Sequence, residues 1–428
     1  MWTRTSLFAI AAVAGLAVSA PSAAQLSYVK AGAVLDVEAG QLLRDQVITI
    51  QDGRIVAVEA ASSRKLPAEA KVIDLSKQTV LPGLIDCHTH LMSDSDDQGL
   101  RGLTVSLPEA TLNGVKNAAK TLQAGFTTVR MVGAPGYGDV ALRDAIAKRE
   151  ILGPRLLVSG PPIGITGGHC SDNNLLPHEY GSVGTGVADG PWEIRRRVRQ
   201  NVKFGVDLIK TCSTGGVLSK GTKLDATQYT LEELTALVEE AHAHGRRVAV
   251  HAHGAAGIQN AILAGADSIE HASFVNDESI ALAKERGTFF VMDVYVTEHI
   301  LTEGKKNGVL EESLDKEREV GTIQRENFTR AHQAGVRMAF GTDSAVYPHG
   351  DNGRQFSRMV RFGMTPLEAI RTATTNAAEL LGIKDRVGQL AAGFEADLVA
   401  VTGNPLEDVS LLENIEFVMK GGIVYKDP

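Results

Sequence analysis

The sequence predicts an α/β protein in which a (β/α)8 barrel is joined to a small β-sandwich built from both chain ends. Short apolar runs alternate with helical stretches eight times through the middle of the 428-residue chain. Segments rich in β-pattern and poor in helix stand at both ends. A doubly wound open sheet would place a glycine-rich phosphate turn after its first strand, and HTHLMSDSDDQG is no such turn.

In chain order, the first element is a leader. One early cation, Arg4, precedes an apolar run from Leu7 to Val18, which ends in Ser22-Ala23-Ala24. The run is short for a membrane span, and the small residues suit signal peptidase. Residues 1–24 therefore read as a signal peptide cleaved after Ala24, and the mature chain as secreted or periplasmic. The net charge of −8 becomes −9 once Arg4 leaves, and no basic block is present. This argues against nucleic acid and, after removal of the leader, against a membrane as partner. Three cysteines, Cys87, Cys170 and Cys212, are an odd count that argues against a full disulfide framework. Strand packing near the site is the reading adopted for them.

The next element is VITIQDGRIVAVEA, two alternating runs about Asp52-Gly53, which tolerate the positive φ of a tight hairpin turn. FVMKGGIVYK repeats the pattern about Gly421-Gly422, and GQLAAGFEADLVAVTGNP reads as short strands with turns. Residues 25–81 and 383–428 are thus assigned to the sandwich, where the two ends cover each other's strand edges. Residues 82–382 are assigned to the barrel. Its apolar runs are GLIDCHTH, FTTVRMV, RLLVSG, VDLIKTC, RVAVHAH, ADSIEHA, FFVMDVY and VRMAFGTD. Among its helices, TLEELTALVEEAHAHG sets Leu231, Leu234, Leu237 and Val238 on one face, with Gly245 as the stop.

The chemistry-bearing residues fall at the ends of these runs. His88 and His90 close the first and, by strand alternation, project to one side. Lys210 closes the fourth run, His251 the fifth, His271 the sixth and Asp343 the eighth. A lone buried histidine is usually a satisfied core group. Six such groups on one carboxyl rim, where barrels carry their chemistry, point instead to a metal centre. Imidazoles and a carboxylate suit zinc. An ammonium repels a cation, but burial lowers its pKa, and a neutral amine can take up carbon dioxide as a carbamate able to bridge two metals. His253 alternates with His251 and faces the same side.

Together, LPGLIDCHTHL, the isolated lysine, HAHG, SIEH, GTDS and GQLAAGFEADLVAV resemble the amidohydrolase superfamily. GPRLLVSGPPIGITGGH and AILAGADSIEHAS narrow the resemblance to the imidazolonepropionase-like branch that holds Xaa-Pro and Xaa-Arg/Lys dipeptidases and ochratoxinase. The resemblance implies two Zn2+ ions bridged by N6-carboxylated Lys210. His88, His90 and Asp343 would hold the first metal, and His251 and His271 the second. It also implies a homo-oligomer, up to the octamer, and a small-molecule amide or dipeptide substrate. Imidazolonepropionases proper lack the lysine ligand, so Lys210 argues against that activity. His253 stands where related dipeptidases often carry tyrosine, which tilts the reading toward N-acyl amino acids such as ochratoxin A.

The expected reaction is hydrolysis by a hydroxide formed between the metals, with Asp343 as proton shuttle and His253 stabilising the oxyanion. His169, in ITGGHC, is implied by the resemblance to hold the substrate carboxylate, with Arg130 and Tyr229 as weaker candidates for that task. A Xaa-Pro dipeptidase (prolidase), an esterase or lactonase on the same metals, and a non-catalytic scaffold are the alternatives.

Overall fold

The computed structural model describes residues 26–170, 174–180 and 184–428. The expected signal peptide lies outside the described residues. Among them, no helix is long and apolar enough to cross a membrane.

Strands β1 (Ser27–Asp36), β2 (Gln41–Gln51), β3 (Arg54–Ala60) and β4 (Lys71–Pro82) come from the N-terminal end. The central strands are β5 (Leu84–Thr89), β6 (Phe126–Met131), β7 (Arg155–Val158), β8 (Leu208–Cys212), β9 (Arg247–Ala252), β10 (Ser268–His271) and β11 (Phe289–Val291). Strands β12 (Leu398–Val401), β13 (Phe417–Lys420) and β14 (Ile423–Lys426) close the chain.

Both expected hairpins are present. Asp52 and Gly53 take φ of 50° and 78°, and Gly421 and Gly422 take 54° and 76°. The two chain ends meet in one seven-stranded sheet, ordered β14-β13-β12-β4-β1-β2-β3. The expected sandwich is therefore a single sheet that curls. Ile55 of β3 exchanges backbone hydrogen bonds with Gly393 and Phe394. The curl wraps a private apolar cluster that includes Val29, Ile48, Leu398 and Phe417. A single residue, Gly83, joins this sheet to the site-bearing strand β5. A Cβ there would lie 2.2 Å from the Thr127 hydroxyl, so only glycine lets β4 pass directly into β5.

The central strands form two parallel sheets, β5-β6-β7 and β8-β9-β10-β11. They are linked edge to edge. Asp207 N–H donates to Val158 O and Ile163 N–H to Lys210 O, both at 2.8 Å. Beyond β11, Phe290 N–H donates to Arg337 O and Ala339 N–H to Phe290 O. Cys87 of β5 then donates to Phe340 O at 2.8 Å. Hydrogen bonding thus runs in sequence order from β5 through β11 to residues 337–344 and back to β5.

Two expectations are corrected. VRMAFGTD is not a regular strand but makes one isolated bridge, at Met338, with a second just past it at Ser344. Its backbone groups are divided among Phe290, Cys87, His88 and Thr372, so neither neighbour supplies a continuous ladder. The helix Leu231–Ala243 forms as expected, with a Thr230–Glu233 capping box at its start. Leu234, Leu237 and Val238 are buried, but Leu231 is 40% exposed, because the first turn projects past the packed face.

Candidate active site

Strand ends deliver the rim residues to one cavity of about 730 Å³. His88, His90, Lys210, His251, His271 and Asp343 all line it, as do His169 and His253. Alternation along β5 sets His88 and His90 on one side as expected, and the Nε2 atoms of both approach Asp343 Oδ1, at 3.3 and 3.2 Å. The ring centroids of His251 and His271 are 4.6 Å apart, and those of His88 and His271 5.0 Å. His271 and Asp343 are held at φ of 70° and 54°. Non-glycine residues in that region cost of order 1–3 kcal/mol and cluster at functional sites.

Each of the four imidazoles His88, His90, His251 and His271 is tied down through one ring nitrogen. His88 Nδ1 donates to Glu270 Oε2 and His271 Nδ1 to Asp293 Oδ1, both at 2.8 Å. His90 Nδ1 donates to Gly133 O at 3.3 Å, and His251 Nε2 to Gly215 O at 3.1 Å. In the neutral ring, a proton committed to the tethered nitrogen leaves the other with a free lone pair, the state in which histidine binds a metal. His88, His271 and Asp343 bring their ligand atoms within 4.8 Å of one another, as do His251, His253 and His271. The donor set therefore fits metal ions.

Electrostatics agree with that fit. Burial alone would raise the Asp343 carboxyl, but the positive charge that His88 and His90 carry when protonated holds it well below the usual carboxylate range, and a metal ion would put charge of the same sign there. Burial pushes Lys210 down to about 8, against the upward pull of Glu270 and Asp343. An amine in that range is available in its neutral form at neutral pH. His169 is driven down to about 3 by burial and by the charges of His271 and Lys210.

Two residues expected to touch substrate do not reach the cavity. Arg130 is buried behind the strands, where Nη2 pairs with Glu270 Oε1 at 2.8 Å and Nη1 donates to Ser268 Oγ at 3.0 Å. It neutralises the carboxylate that orients His88. Tyr229 is fully buried, and its hydroxyl donates to Ala188 O at 2.7 Å. Both side chains are committed to partners far away in sequence.

Asp293 and Glu270 were missed. Asp293 ends the apolar run FFVMD, the same signal that marked the other rim residues. Glu270 is a charge inside a fully buried strand, on the face opposite His271. The cysteines also depart from expectation. Cys170 and Cys212, 42 residues apart, form a disulfide at the cavity wall, and Cys87 stays free and buried. Loop folding, invisible in the odd count, brings the pair together.

Residues 79–426 match the amidohydrolase family. The chain belongs to this family. It is 34% identical over 438 residues to ochratoxinase from Aspergillus niger, a match covering 96% of this chain and 89% of the relative. The solved structure of the A. niger ochratoxinase superposes with a TM-score of 0.81 at 32% identity, covering 95% of this chain and 97% of that one. A Xaa-Pro dipeptidase crystallised with methionine in its active site superposes with a TM-score of 0.90 at 38% identity, covering 94% of this chain and all of the other. The amidohydrolase is thus a hydrolase acting on amide bonds. Its superfamily generally binds metals, in keeping with the orientation of its histidines.

Proposed function

We propose that this amidohydrolase is an exported binuclear zinc enzyme on a closed (β/α)8 barrel. In this reading it releases an amino acid with a free α-carboxylate from an N-acyl amino acid or dipeptide, ochratoxin A being one such substrate. The observation that carries the metal part is the tethering of four imidazoles, each through one ring nitrogen, around a buried lysine. His88, His90 and Asp343 would hold one ion, His251 and His271 the other, and carboxylated Lys210 both. When bound, the ions supply Lewis acidity, polarising the carbonyl and bringing the pKa of water toward neutrality.

The chain's own groups do the rest. Asp343, held ionised, takes a proton from the attacking water and returns it to the leaving nitrogen. Ser273 Oγ lies 2.7 Å from His253 Nδ1. A hydroxyl donating there leaves Nε2 protonated, ready to donate to the carbonyl oxygen as charge develops. His169 takes the carboxylate end. The apolar wall around Val217, Val296, Ile300, Val320 and Val346 receives the side chain beyond the scissile bond. A disulfide beside the site supports the exported reading, since such bonds persist in oxidising compartments. A prolidase reading is also favoured by the fit to the Xaa-Pro dipeptidase, and X-Pro substrates separate the two.

The test compares each free acid with its carboxamide and measures bound metal. Capping the carboxylate should lower kcat/KM about 10–100-fold, the cost of unpaired buried partners. Equal values would turn the reading toward a general amidase or an esterase. Lys210→Ala should lose most metal and nearly all turnover, and retention of both would exclude the bridging carbamate.

A further inference from the structure

His169 is held in place by a set of contacts that nothing in the reaction requires. Its backbone N–H donates to Gln228 Oε1 at 3.1 Å. Its ring packs against Gly216, where a Cβ would come within 2.3 Å of the ring. The ring centroid is 4.3 Å from that of His251. Nδ1 is buried and has no hydrogen-bond partner among the described residues. The next residue, Cys170, is bonded to Cys212, the last residue of β8, with Cα atoms 5.7 Å apart. Cys212 lies two positions beyond Lys210, so alternation puts its side chain on the same side of β8, toward the cavity. Both cysteines line that cavity.

We propose that the Cys170–Cys212 disulfide is a positioning device that fixes His169 for the substrate carboxylate by tying its loop to the strand that carries Lys210. The proposal rests on the reading of the site as one for acyl amino acids. Its physical content is preorganisation. A binding imidazole on a free loop must be ordered each time substrate arrives, and that entropy is subtracted from affinity. A covalent tie to the rim removes the cost beforehand. The tie acts on substrate binding and leaves His88, His90, His271 and Asp343 to their own partners, none of which lies on the loop.

The test begins with a thiol count on unfolded, unreduced protein. One reactive thiol, that of Cys87, is expected, and three would overturn the proposal. The double variant Cys170→Ser/Cys212→Ser should then raise KM for a free-acid substrate about tenfold, the worth of one immobilised side chain. Metal content should be unchanged, kcat nearly so, and KM for the matched carboxamide unaffected. His169→Ala should give the same rise alone and no further rise in the double-serine background. Additive effects, or equal losses on acid and amide, would overturn the positioning role.

Should the serine variant not fold, Cys170→Ala/Cys212→Val fills the buried space, and the same comparison applies. Reduction of the wild type gives a third route. A phosphine takes up the oxygen of one water as phosphine oxide, and two thiols replace the bridge. KM should rise and then recover on reoxidation, and an unchanged KM overturns the proposal. A wild type inactive on every acyl amino acid would instead overturn the functional reading, and this is seen before any variant is made.

Discussion

Glu270 lies behind the strands that carry the histidines, and Glu317 lies on the helix Glu311–Gln333 in the cavity wall. The two side chains are alike and nearly equally buried, at 0% and 3% exposure. Burial would raise both carboxyls. Glu270 nevertheless falls well below the usual range, because Arg130 and His88 pair with its two oxygens. Glu317 is pushed by burial from an ordinary 4.5 to about 7, with Asp293 adding like-charge repulsion and Thr297 pulling the other way. Burial sets the size of the penalty, and the partner decides whether it is overcome. The strand side of the cavity is accordingly a fixed charge network that aims ligands. The helix side keeps a carboxyl that holds its proton to near neutrality.

The most severe way to break this contrast is to remove the anion from the paired side. Glu270→Gln leaves Arg130 buried without a counter-charge and frees the His88 ring. Breaking such a pair costs about 3–5 kcal/mol, to be read from urea unfolding. Metal affinity should fall about 10–100-fold as His88 loses its orienting partner. A loss under ~1 kcal/mol with metal retained would mean that the network does not hold the ligand.

The unpaired side should respond with the opposite sign. A folded-state pKa above the unfolded one means that the folded protein keeps a proton which the unfolded chain releases. Stability therefore falls as pH rises from about 4.5 to 7 and is level beyond that window. Glu317→Gln removes this loss. It should be close to neutral at pH 4.5 and stabilising by up to about 3 kcal/mol at pH 8. Unfolding curves at the two pH values check it, and a variant destabilised equally at both would show that Glu317 is paired after all.

A smaller effect is expected where the partner is neutral. Ser273→Ala strips the hydroxyl 2.7 Å from His253 Nδ1. An unsatisfied buried nitrogen costs about 1–3 kcal/mol, and here the lower end applies if water enters from the cavity. Turnover should drop as His253 loses its fixed tautomer. Unchanged kcat would separate His253 from the oxyanion.

The amino-acid sequence by itself determined which residues reach the rim. Alternation in a strand is local, so His88 and His90 had to share a side, and Lys210, His251 and His271 had to end their runs where the chemistry sits. The hairpins at Asp52-Gly53 and Gly421-Gly422 were legible for the same reason, since a tight turn is set by its own few residues. Only the tertiary structure decided what each side chain meets. Arg130 turns away from substrate because Glu270, 140 residues on, offers a buried counter-charge. Tyr229 is spent on Ala188 O, and residues 337–344 are no regular strand because their hydrogen bonds are shared among β5, β11 and Thr372. Cys170 finds Cys212 only after its loop folds onto the end of β8. Periodicity along the chain records the face a residue takes, whereas charge pairing, hydrogen-bond partners and cross-links depend on distances between segments that no local pattern encodes.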